Sequence, residues 1–93
     1  MDLRETAAKV LLIEDDVRLA ALTARYLEGH GVSVVVAHDG PSGVRAEASG
    51  GFDVVLLDLN LPGLDGVRVC QKIRQRSSVP IVMLTARGEE ADQ

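Results

Sequence analysis

Ninety-three residues, 46% of them hydrophobic and 26% charged, with 9 Gly and 3 Pro, suit one small globular domain and not a disordered chain. Fourteen acids against 10 bases leave a net charge of −4, a surface that repels phosphate backbones and argues against nucleic-acid binding by this segment itself. One cysteine excludes an internal disulfide framework and suits a reducing, cytoplasmic compartment; the charged start MDLRETAAK lacks the apolar region of a secretory signal, and no apolar run reaches the length of a membrane span.

Residues 1–8 read as a tail of low order ahead of a single domain over 9–93. Val10-Leu11-Leu12-Ile13 is a continuous apolar run that stops at Glu14-Asp15-Asp16. Residues 17–29 follow as a helix rich in Ala, Leu and Arg, with Leu19, Leu22, Thr23, Tyr26 and Leu27 expected on one apolar face and Gly29-His30-Gly31 ending it. Residues 32–37, Val-Ser-Val-Val-Val-Ala, form the second strand. A second helix opens at Asp39-Gly40-Pro41-Ser42, a capping acid followed by an early proline, and closes at Ser49-Gly50-Gly51. The third strand spans 53–57, a loop with Pro62-Gly63 follows, and a third helix runs over about 64–76. Residues 80–84, Pro-Ile-Val-Met-Leu, are the fourth strand, and 85–93 read as the start of another helix.

Strands alternating with helices indicate an α/β domain with a parallel sheet, and strands this apolar agree, because parallel sheets are covered by helices on both faces. Ligands of such sheets bind beyond the carboxyl ends of the strands. Three features fall there: Glu14-Asp15-Asp16, Asp58 after Val54-Val55-Leu56-Leu57, and Thr85. If the first and third strands are neighbours, their ends lie about 5 Å apart. Like charges at ~4 Å and an effective dielectric of 20 repel by about 4 kcal/mol, so a cation has to compensate. A hard, oxygen-ligated ion such as Mg²⁺ suits a few carboxylates, a carbonyl and waters. A carboxylate beside that ion is prepared to attack phosphorus and form an acyl phosphate. Thr85, next to the small Ala86, offers a hydroxyl to a phosphoryl oxygen.

Taken singly, each feature has a plainer reading. Glu14-Asp15-Asp16 would be a helix-capping cluster, Asp58 a cap, and Thr85 a strand-end hydroxyl. Asp53, Asp65 and Pro62-Gly63 read as turn chemistry. Cys70 reads as a small apolar filler, His30 and His38 as loop residues, and Arg68, Lys72 and Arg76 as a solvated helix face. Only the joint pattern, at the ends of three alternating strands, favours chemistry.

The pieces VLLIEDD (10–16), DLNLPGLDG (58–66) and PIVMLTA (80–86) resemble the receiver domains of bacterial two-component response regulators, and LPGLDG with MLTARGEEAD is most similar to receivers of the OmpR/PhoB group of winged-helix transcription factors. The resemblance implies a flavodoxin-like sheet of order 2-1-3-4 with helices on both faces. It implies that Asp58 accepts phosphate from a sensor histidine kinase, with Mg²⁺ held by Asp15, Asp58, the backbone carbonyl of Asn60 and, through water, Glu14. Thr85 and Ala86 would follow the phosphoryl group, and Asp16 would cap the first helix. The chain would not be an enzyme beyond catalysing its own phosphorylation and dephosphorylation. The stripe Arg18, Ala21, Leu22, Arg25 would be a kinase-docking face by the same resemblance, or a plain amphipathic helix without it.

The resemblance also implies a fifth strand ending in lysine and a last helix, and the 93 residues contain neither, so a C-terminally incomplete receiver is expected, with no catalytic lysine in this chain. The fourth strand would then be a bare edge, open to self-association, and the first helix would cover one sheet face alone. DNA would be bound only by a domain outside this segment. Two rivals are an aspartyl-phosphate phosphatase, which would want an Asp where Asn60 stands, and a degenerate receiver acting as a binding or dimerisation module without phosphate.

Overall fold

The computed structural model describes residues 8–59, 61 and 65–84. The tail over 1–7, Asn60, the 62–64 part of the loop and the helix expected over 85–93 lie outside the described residues.

Seven elements alternate along the chain: β1 Lys9–Ile13, α1 Val17–Glu28, β2 Ser33–Ala37, α2 Gly40–Ala48, β3 Val54–Asp58, α3 Gly66–Arg74 and β4 Ile81–Leu84. All strand pairs are parallel, in the order β2-β1-β3-β4, as the resemblance implied. β1 is thus a central strand, and its residues Leu11, Leu12 and Ile13 are fully buried. The register sets Ile13 between Ala37 and Leu57, and Asp58 opposite Leu84, so the carboxyl ends of the strands lie side by side.

Each helix begins where the sequence offers a short acid. Asp16, Asp39 and Asp65 accept the backbone N–H of Leu19, Ser42 and Arg68 at 3.0, 2.7 and 3.0 Å, satisfying donors that the first helical turn leaves open. Asp65, read from sequence as a turn residue, is therefore a cap, and α3 starts at Gly66 because the cap sits just before it. Asp53 ties the start of β1 to the third strand, its Oδ2 accepting Lys9 N–H at 2.7 Å.

The main core lies on one face of the sheet, where Leu11, Ile13, Val55 and Leu57 pack with Leu61, Val69, Ile73 and Val79 under α2 and α3. Strand alternation turns Val10 and Leu12 to the opposite face, beneath α1. Here α1 departs from the sequence expectation. Its buried residue is Ala20, with Thr23, Ala24 and Leu27 partly covered, while Leu19, Leu22 and Tyr26 are exposed. The side that meets β1 and β2 is the stripe Ala20, Thr23, Ala24 and Leu27, spaced three and four residues apart, and Leu19, Leu22 and Tyr26 fall off that stripe. The glycine ending falls where the sequence put it. Gly29 caps α1 in the right-handed helical region, and the left-handed turn, φ 85°, falls on Gly31.

Among the described residues β4 is the edge strand, as expected, with Val82 48% exposed.

Candidate functional site

The chain leaves β1 at Ile13, and the next two residues are Glu14 and Asp15; β3 ends on Asp58 itself. Because Ile13 and Leu57 are register partners, Glu14 and Asp58 occupy neighbouring positions at the same sheet edge. One carboxylate oxygen from each of Glu14, Asp15 and Asp58 can be chosen so that all three lie within 4.8 Å of one another. Glu14 is buried, 6% exposed, Asp58 is half-buried and Asp15 faces solvent.

This crowding shows in the acid chemistry. The Glu14 carboxyl is pushed up from 4.5 to about 7, first by burial, then by a hydrogen bond to Asp58 and the Asp58 charge, and by a hydrogen bond to Asp15. The Asp16 N–H, 3.2 Å from Glu14 Oε2, works in the opposite direction by stabilising the anion. A buried acid and a neighbouring carboxylate that share a proton gain from any cation able to replace it. Three acids converging from two strand ends, all hard oxygen donors, fit a divalent ion such as Mg²⁺. Glu14, Asp15 and Asp58 are the described residues that would hold it.

The sequence placed six residues at this site. Glu14, Asp15 and Asp58 are brought together; Asn60, Thr85 and Ala86 lie outside the described residues. Asp16 turns away to cap α1. One residue was missed. His38, read as a loop residue, places its Nδ1 3.0 Å from the Glu14 carbonyl oxygen. No local pattern could have found it, because the two residues are 24 positions apart and meet only through the β1–β2 pairing. Among the described residues, no helix is long and apolar enough to cross a membrane.

Comparison with known proteins matches this geometry. ResD of Bacillus subtilis, a transcriptional regulatory protein, is 39% identical over 85 residues, covering 91% of this chain and 35% of ResD. The chain spans little more than a third of the length of the curated relatives it matches. Among solved structures, the BeF₃-activated N-terminal receiver domain of Klebsiella pneumoniae RstA superposes with a TM-score of 0.80 at 40% identity, over 84% of this chain and 67% of that one. TrrA of Thermotoga maritima, solved in complex with Mg²⁺–BeF, has a TM-score of 0.83 at 26% identity, over 92% of this chain and 76% of that one. TrrA has also been solved in complex with the histidine kinase ThkA. The model of the response regulator receiver domain matches residues 10–93, from the second residue of β1 onward, and the chain therefore belongs to the response regulator receiver domain family.

Proposed function

We propose that Asp58 is the phosphoacceptor of a two-component signalling switch, loaded by a sensor histidine kinase. The observation that carries this reading is the convergence of Glu14, Asp15 and Asp58 within 4.8 Å at the carboxyl edge of the sheet. In the transfer a carboxylate oxygen of Asp58 forms a bond to phosphorus as the phosphorus–nitrogen bond of a kinase phosphohistidine breaks, and the imidazole leaves with the electron pair. Asp15, Asp58, Asn60 and Glu14 are the residues that would hold Mg²⁺. When bound, the ion neutralises the oxygens of the transferring group. Asp58 stands at the end of β3 and is half-buried, so part of the residue is reached by solvent. The new phosphoryl group carries about −1.5 to −2 charges in place of the single charge of the Asp58 carboxylate, next to the end of β4, and Thr85 and Ala86 follow Leu84 directly in the chain to answer it.

TrrA supports both parts by analogy, having been solved with Mg²⁺–BeF and with a kinase. A phosphatase reading is not favoured, since Asn60 stands where that chemistry would want an acid. The domain is taken as residues 9–93, the compartment as cytoplasmic, and the output as transcriptional, through DNA binding by another part of a longer protein; the likeness to ResD supports that output. Self-association through β4 belongs to the same proposal. Val82 and Met83 are both nearly half exposed on the edge strand, and a strictly monomeric elution at high concentration would rule it out.

The decisive experiment is phosphate labelling with acetyl phosphate and Mg²⁺. Wild type should form an acid-stable, base-labile acyl phosphate, and Asp58→Asn should form none. Retained labelling in that variant would place the phosphoacceptor elsewhere.

A further inference from the structure

We propose that His38 is a positioning residue for the acidic edge: its Nδ1–H holds the Glu14 carbonyl and so orients the peptide that leads into Asp15. The inference rests on the reading of the cluster as a cation site.

The argument begins with the donor. Nδ1 of His38 lies 3.0 Å from the Glu14 carbonyl oxygen, and a carbonyl only accepts. Nδ1 therefore carries the hydrogen, and in the neutral ring Nε2 is left as the acceptor. The adjacent residue completes the grip, because the Glu14 N–H donates to the Ala37 carbonyl at 2.9 Å. Consecutive residues at the end of β2 thus hold both main-chain groups of Glu14, and the Asp16 N–H holds its carboxylate at 3.2 Å.

Position explains why this matters. The β1–β2 ladder has its last register pair at Ile13 and Ala37, after which β2 turns into α2 behind the Asp39 cap. A chain leaving a ladder can rotate its next peptide. The Glu14 carbonyl belongs to the same planar unit as the Asp15 nitrogen, so fixing the carbonyl fixes the direction in which Asp15 departs. Asp15 is exposed and unlike Glu14 has no burial to hold it. His38 supplies that restraint from a neighbouring strand, in the way outer-shell groups orient ligands in metal sites.

The test uses the chain with Mg²⁺ alone as probe, titrated by calorimetry, with thermal melting as the control for folding. Asn places its side-chain nitrogen the same number of bonds from Cα as Nδ1 of histidine, whereas Gln places it one bond farther. His38→Ala and His38→Gln should weaken Mg²⁺ binding about tenfold with little change in melting, the lower end of the loss seen when an outer-shell partner is removed. His38→Asn should restore wild-type affinity. Nitrogen-15 shifts of the wild-type imidazole should show Nδ1 protonated in the neutral ring, a readout that needs no variant to fold. Wild-type affinity in His38→Ala and His38→Gln, or an Nε2–H ring, would overturn the role of His38 while leaving the cation site intact. A wild-type chain that binds no Mg²⁺ overturns the cation reading and this role with it.

Discussion

The two faces of the sheet carry the same kinds of residue and are covered differently. On the α2–α3 face, Val55 and Leu57 are fully buried and lock against Val69 and Ile73. On the α1 face, Leu12, Leu56 and Val82 are register neighbours on successive strands, and exposure rises along that row from 1% at Leu12 to 48% at Val82. α1 lies over β1 and β2 and not over β4. An apolar strand residue is therefore sealed by the helix that lies over it, and the strand's own pattern does not ensure burial.

Substitutions on the sealed face should cut deepest. Leu57→Ala removes a fully buried side chain from the centre of β3 and should lower unfolding free energy by about 3 kcal/mol, read by urea denaturation. A loss under about 1 kcal/mol would mean this face is less tightly packed than the burial of Leu57 indicates.

Glu14 sharpens the comparison because it is buried like a core residue yet ionisable. The folded chain holds the Glu14 proton to about pH 7, while an unfolded glutamate releases it near 4.5. Between those values the native state binds more protons, so stability should fall as pH rises from about 4.5 to 7 and level off above. Each pH unit separating the two values corresponds to about 1.4 kcal/mol, and solvent reaching the edge reduces the effect, so the fall should total about 2 kcal/mol. Glu14→Gln should flatten that segment of a melting-temperature profile measured without Mg²⁺.

Gly43 reports on how closely α2 approaches the sealed face. A Cβ there would lie 2.8 Å from Ile13 Cγ1 and 3.2 Å from its Cγ2, and Ile13 is itself fully buried. Overpacking costs about 1–3 kcal/mol, against about 1 kcal/mol gained in helix propensity, so Gly43→Ala should destabilise by about 1 kcal/mol. The smallest effect belongs to the open side. Leu22→Ser, at a position 63% exposed on α1, should change stability by less than about 0.5 kcal/mol by the same denaturation measurement.

Local signals settled much of this protein in advance. Apolar runs bounded by turn residues marked four strands, and Asp16 and Asp39 marked helix starts, because capping and strand patterning depend only on near neighbours in the chain. The grouping of Glu14-Asp15 with Asp58 was legible for a related reason: a parallel sheet brings strand ends to one edge once the alternation of elements is known. Four things were decided only by tertiary structure. The face of α1 that packs was set by how the helix lies over β1 and β2, which buries Ala20 and leaves Leu22 and Tyr26 exposed. The need for glycine at 43 came from Ile13, far away in the chain. The contact of His38 with Glu14 exists because β2 lies beside β1, and burial by distant residues is also what raises the Glu14 carboxyl to about 7. Such effects depend on distances between remote segments, and a linear order of residues specifies those distances only through the whole fold.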